Sequence, residues 1–235
     1  RRGYTKLAQW LGEAERVWSE VRGEKEKKMT VYERLDYQQG LSTQNPRARY
    51  KVVYLRSGTN LAATVIDVEK VLRGNTLLNG IIVESTLYRY ETDNIEEAYY
   101  LAAVLNSSVL DELIKPMQSK GEYGERDIHK KPLEFPIPKY NPDNEVHRRL
   151  AELGRKASEI AERVLPELLS LRGYDEKLRE RGALMPQEVA TLRRDIRRRL
   201  KEVLKQIDDL VIELLKVKAI EATGGATLDK YLKKT

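Results

Sequence analysis

The 235-residue chain is 40% hydrophobic and 34% charged, enough apolar material for a packed core, which excludes an intrinsically disordered protein. No apolar run is long enough to cross a bilayer, no signal-peptide pattern opens the chain, and the absence of cysteine removes disulfides and thiolate metal sites, fitting a cytoplasmic protein. A formal net charge of +6 permits a polyanionic partner such as DNA without demanding one, because many basic proteins simply carry solvated basic faces.

The chain opens on Arg1 rather than Met, and its first residues read as a fragment or a trimmed chain. Leu7, Leu11, Ala14, Val17 and Val21 recur at helical spacing within a charged segment, followed by Tyr32, Leu35 and Tyr37. A polar loop over 38–49 is punctuated by Gly40 and Pro46. From Tyr50 the texture changes. Residues 50–56, 62–67 and 80–91 are rich in Val, Ile, Thr and Tyr and read as strands, with turn signals at 57–60 and 73–75 between them. Asn94 is the expected N-cap of a helix, with Glu97 three residues on as in a capping box and Ala98, Leu101, Ala102 and Leu105 at helical spacing. Ser107 or Ser108 restarts a second short helix that ends near Pro116. A polar, glycine-containing loop over 120–131 leads into the proline-punctuated, extended stretch 132–142. After Asn144, apolar residues recur at three- and four-residue steps from Val146 to Leu171 and again from Val189 to Val217, the pattern of two long amphipathic helices packed along a narrow seam. Gly173 and Gly182-Ala183 mark their connection, Pro166 should kink or restart the first helix, and the tail after Glu221 is expected to be loose.

Several short motifs follow one another in a specific order. They are residues 97–107 (EAYYLAAVLNS), Gly121, Arg126-Asp127-Ile128-His129, Leu133-Glu134-Phe135-Pro136-Ile137-Pro138, and a helix begun near His147-Arg148-Arg149-Leu150. This order closely resembles the C-terminal target-recognition region of N6-adenine DNA methyltransferases, including those fused to Type II restriction enzymes. It is more distantly similar to the specificity subunits of Type I restriction enzymes. Residues 53–63 look like the strand–turn–strand of the same family, and Ile207-Asp208-Asp209-Leu210-Val211 resembles its closing helix. The resemblance implies an α+β fold: a small mixed α/β target-recognition domain over 46–143, then a long antiparallel, coiled-coil-like helical hairpin over 144–220. Residues 1–45 would be a helical connector to a missing N-terminal part, and 221–235 a loose tail.

The resemblance also implies sequence-specific recognition of double-stranded DNA, positioning an adenine for a methyltransferase domain supplied in cis or in trans. A dimer through the helices is a further expectation. Two departures bear on chemistry. Asn45-Pro46-Arg47-Ala48 lacks the second proline and the aromatic ring of the family's catalytic tetrapeptide, and no glycine-rich loop after a strand offers a cradle for S-adenosylmethionine. No catalytic residue and no cofactor are therefore expected in this chain, and S-adenosylmethionine belongs to the presumed parent enzyme.

A recognition domain sets phosphate-binding cations around side chains that reach base edges. Three segments have that chemistry. Residues 44–49 offer Gln44, Asn45, Arg47 and Arg49, against the alternative of a solvated linker. The turn after the first strand offers Arg56 and Asn60, against a plain hairpin turn. Residues 120–131 offer Lys120, Tyr123, Arg126, His129, Lys130 and Lys131, against a surface loop whose charges pair internally with Glu122, Glu125 and Asp127. Within that last segment Arg126 suits a guanine edge, and Lys130 and Lys131 suit phosphates. His147 reads as a surface or capping residue, and the basic run 193–205 as a solvated helix face or a backbone-tracking surface. Two other classes compete: a protein-interaction scaffold, and a metal-dependent nuclease built on Pro142-Asp143 and Asp175-Glu176-Lys177.

Overall fold

A computed structural model describes residues 3–26, 28–74, 78–121, 124–125 and 127–223. Helix α1 (Thr5–Val21) leads to the short α2 (Val31–Leu35), which starts at a capping box: Thr30 Oγ1 accepts from Glu33 N, and the Glu33 carboxylate accepts from Thr30 N. Strand β1 (Tyr50–Leu55) pairs antiparallel with both β2 (Ala63–Asp67) and β3 (Leu87–Thr92), so it is the central strand; Val52 faces Val65 on one side and Tyr90 on the other. Short α3 (Val68–Leu72) follows β2 directly.

The third strand is shorter than the sequence predicts, and the reason is local. Residues 81–83 run beside 44–46 instead of joining the sheet. Ile81 N donates to Pro46 O at 2.9 Å, while the Gln44 carboxamide serves both backbone groups of Val83 as a neighbouring strand would. Gly80 permits this approach, since a Cβ there would lie 2.6 Å from Pro46 O.

Helix α4 (Ile95–Asn106) starts at Asn94, whose side chain accepts from Glu96 N and Glu97 N as expected. The expected capping box does not form, because the Glu97 carboxylate is taken by the hydroxyls of Tyr90 and Thr92. Seven of the residues of α4 are buried, including every one from Tyr100 to Leu105, which makes it the central helix of the fold. Ser107 closes α4 and caps α5 (Ser108–Ile114) through its Oγ to Leu110 N. Then come the two-residue strands β4 (Lys120–Gly121) and β5 (Gly124–Glu125), paired antiparallel, and the single turn α6 (Lys131–Glu134), which lies within the stretch expected to be extended.

Helix α7 (Glu145–Leu171) is one continuous helix that contains Pro166, so the predicted restart does not occur there. Val164 and Leu168 on either side of the proline are packed with Tyr174 and Leu192 in a small second core, which holds the helix together there. Gly173 and Gly182 bracket α8 (Tyr174–Arg181) with left-handed backbone at φ 62° and 69°. The second apolar repeat is divided at Leu200 into α9 (Pro186–Arg199) and α10 (Lys201–Thr223). Asp208 of α10 accepts from Ser108 N at 2.8 Å and Ser108 Oγ at 2.6 Å, tying α10 to the start of α5. The main core joins Tyr50, Val52 and Tyr54 of the sheet to α4, to Leu150 and Leu153 of α7, and to Ile207, Val211 and Leu214 of α10. It is continuous across residues 143 and 144. No helix among the described residues is long and apolar enough to cross a membrane.

Candidate nucleic-acid interface

Two of the three predicted segments meet at one end of β1. The Arg56 carbonyl accepts from Ile128 N at 3.1 Å and His129 N at 2.8 Å, and Ser57 forms an isolated bridge with Asp127. Ile128 is fully buried beneath this junction, and Tyr54 Oη donates to His129 O at 2.9 Å from below. His129 adopts φ 48°, an uncommon conformation for a residue with a Cβ, which these hydrogen bonds hold in place. Above the junction the side chains of Arg56 and Lys130 are exposed, with no ion-pair partner among the described residues. Lys131 Nζ donates to Asp127 O at 3.0 Å, and the His129 imidazole lies 3.5 Å from the Asp127 carboxylate. The Ser119 hydroxyl, helped by the charges of His129, Lys131 and Arg56, holds the Asp127 carboxyl below its ordinary range.

The turn carrying Arg56 is braced from four directions. Leu61 N donates to Asp111 Oδ1 at 2.6 Å, and Asn106 grips both backbone groups of Ala63. Gln118 Nε2 donates to Gly58 O at 3.3 Å, and the Arg193 guanidinium of α9 donates to Leu61 O at 2.6 Å. Burial, and then the neighbouring Arg197, lower the Arg193 pKa, with Asp111 opposing them. Sequence reasoning missed all four braces as site residues. Asn106 stood inside a recognised motif, and Arg193 inside the basic run, but neither pattern says that the side chain is spent on a backbone carbonyl.

The third segment stands apart. Residues 44–49 precede β1, so Arg49 and Arg56 are about 20 Å apart along the strand. Two predicted readers there are committed to the fold. Gln44 is 7% exposed, with its amide hydrogens on Gly40 O and Val83 O and its oxygen on Val83 N. Arg49 is half-buried, paired with Glu69 and, at 3.5 Å, with Asp67, and its guanidinium carbon lies 5.3 Å from the Tyr50 ring centre. Asn45 Oδ1 accepts from Arg47 N at 3.0 Å, closing a local turn, and Arg47 is exposed. Asn60 accepts a long 3.4 Å bond from Lys115. Tyr123 and Arg126 lie outside the described residues, as does the side chain of Lys120.

Three further expectations meet the geometry. His147 is 4% exposed, not a surface residue: its Nδ1 accepts from Asn141 N at 3.0 Å and its ring packs 4.8 Å from that of Tyr100. That bond leaves the proton on Nε2 when the ring is neutral. The basic run divides its labour, with Arg193 on the turn, Arg198 on Asp195 and Arg199 on Glu167. Asp143 and Asp175 stand at opposite ends of the 27-residue α7, about 40 Å apart, so they cannot share one metal ion. Among the described residues, the two strand-to-helix junctions close on their own side chains, with Asp67 accepting from Lys70 N and Asn94 from Glu96 N and Glu97 N. Comparison of the chain with protein families, with curated proteins and with solved structures finds no match.

Proposed function

We propose that this chain is the sequence-recognition part of an adenine-N6 DNA methyltransferase or restriction–modification enzyme of the cytoplasm. It carries no methyl-transfer chemistry of its own and holds duplex DNA for a catalytic domain acting in cis or in trans. The observation that supports this reading best is the convergence of Arg56 and residues 127–131 on one braced platform, with Arg56 and Lys130 exposed and without an ion-pair partner among the described residues. A rigid platform presents cations without the entropy cost of ordering a loop on binding. Arg56 and Lys130 contact phosphates, and the adjoining segment that includes Arg126 reads the bases from the major groove. In this reading α7 and the α9–α10 pair form an antiparallel hairpin that spaces the platform from the catalytic domain, and S-adenosylmethionine binds only there.

Fluorescence-anisotropy titration of a labelled duplex across a salt series tests the proposal. Binding should weaken as salt rises, and Arg56→Ala and Lys130→Ala should each lower the slope of log K against log salt by about one. Arg47→Ala, at the far end of β1, should leave the slope alone. Absence of salt-dependent binding, both for the chain alone and when joined to a catalytic domain, would overturn the reading.

A further inference from the structure

Helix α1 keeps an apolar stripe that the described fold leaves uncovered. Leu7, Trp10, Ala14, Val17 and Val21 share one face at alternating three- and four-residue steps, and no residue of the helix is buried. Leu7 is 53% exposed, Trp10 59% and Val21 68%. One border of the stripe is occupied by the chain itself: the Trp18 indole N–H donates to Met29 O at 2.9 Å, and Tyr32 shares a hydrogen bond with Glu15. The other border carries Lys6, Glu13 and Glu20, each seven residues from the next.

We propose that this stripe is the seam of a homodimer, with α1 packed antiparallel against α1 of a second copy. Side-chain size selects the antiparallel direction. A register that sets Leu7 against Val17 of the second copy also sets Trp10 against Ala14 of the second copy, twice by symmetry, so that each large ring fills the space beside a small residue. Parallel packing would stack Trp10 on its own equivalent and Ala14 on its own, a bulge beside a void. Charge selects the register. The same alignment brings Lys6 beside Glu20 of the second copy at both ends of that edge; a slide by one heptad in one direction brings Glu13 beside Glu20 of the second copy and repels twice, and a slide in the other direction leaves only half of each helix paired. Glu13 meets its own equivalent on the symmetry axis, where each is compensated by its own Arg16 at 3.0 Å; the same guanidinium also bonds Glu20 at 2.7 Å, so the Lys6–Glu20 attraction is a partial one. A seam of 17 residues is about 25 Å long, small for a protein interface, so the dimer is weak and concentration-dependent.

Sedimentation equilibrium of the full chain over a wide concentration range provides the test, with circular dichroism confirming that each variant keeps its helix content. Lys6→Glu alone and Glu20→Lys alone turn two attractions into two repulsions, and each should raise the dimer dissociation constant about tenfold. An equimolar mixture of the two variants restores both attractions and should associate about as well as the unaltered chain. A chain that stays monomeric throughout, single variants that dimerise unimpaired, or a mixture no tighter than its components would each overturn the proposal. A monomer would assign the stripe to a different protein. DNA is absent from the measurement, so its outcome is independent of the recognition reading.

Discussion

A lysine with no exposed side-chain surface lies in the central strand, bonded to Asn45 O at 2.7 Å and to the Glu91 carboxylate on the neighbouring strand. Burial pushes the Glu91 carboxyl up, but the Lys51 ammonium, the Asn45 N–H and Arg89 outweigh it and hold it below its ordinary range. Lys51→Ala should therefore cost about 3–5 kcal/mol in urea unfolding, because Glu91 keeps its charge in a half-buried site without its partner. The double change Lys51→Met with Glu91→Gln should recover most of that loss. A double variant no better than the single one would show that the ion pair is not what the strand depends on. The same logic explains what was legible residue by residue. Sequence chemistry named Gln44, Arg49, Arg56 and Lys130 alike as donors, and donor type is the same for all four. What separates them is the company each keeps: Val83 beside Gln44, Asp67 and Glu69 beside Arg49, and solvent beside Arg56 and Lys130. Those neighbours are distant in sequence, so spacing did not disclose them.

Helices α4 and α7 come together backbone to backbone at Gly154, where an added Cβ would lie 2.3 Å from Tyr99 O and 3.2 Å from Ala103 Cβ. Glycine to alanine inside a helix normally stabilises by up to about 1 kcal/mol. Gly12→Ala in α1, with nothing within 4 Å, should follow that rule, whereas Gly154→Ala should destabilise by about 1–3 kcal/mol. Opposite shifts in thermal midpoint are the expected result; equal shifts would mean that the two helices do not meet there. At the corner between α8 and α9, Glu188 accepts from Lys177, Arg181 and Met185 N, and these partners, Lys177 foremost, hold its carboxyl at about 2 against an ordinary 4.5. A carboxyl with a depressed pKa contributes stability that is fully present above about 4.5 and is lost as the pH falls toward 2. The advantage of the unaltered chain over Glu188→Gln should therefore shrink below that pH in melting experiments, and a gap constant from neutral to acid would count against the corner. Elements with strong local signals were legible: β1, β2, the Asn94 cap and the start of α7 all follow the sequence. The exceptions had non-local causes. Residues 81–83 satisfy their backbone on Gln44 and Pro46 rather than on a strand, and α9 ends at Leu200, whose buried side chain joins the core without any glycine or proline to announce the break.

Across the whole molecule, the α+β character and the long helices were readable from periodicity, but the way they share a core was not. Leu150, Leu153 and Ile207 lie in one cluster with Tyr50 and Val52, because α4 is apolar on nearly every side and accepts both the sheet and the helices. An apolar pattern tells how much of a helix is buried and says little about which element buries it. The platform at the end of β1 shares this dependence. Its last brace, Arg193, reaches Leu61 O across 132 residues of sequence, and Asp208 reaches Ser108 across 100. During synthesis the strand and its turn leave the ribosome first and wait roughly ten seconds for Arg193 to be made. Through that interval Arg56 sits on a turn without its final anchor. The chain thus acquires its fully braced turn only after its C-terminal helices have been made and have docked, so a truncated translation product would carry Arg56 on a looser support.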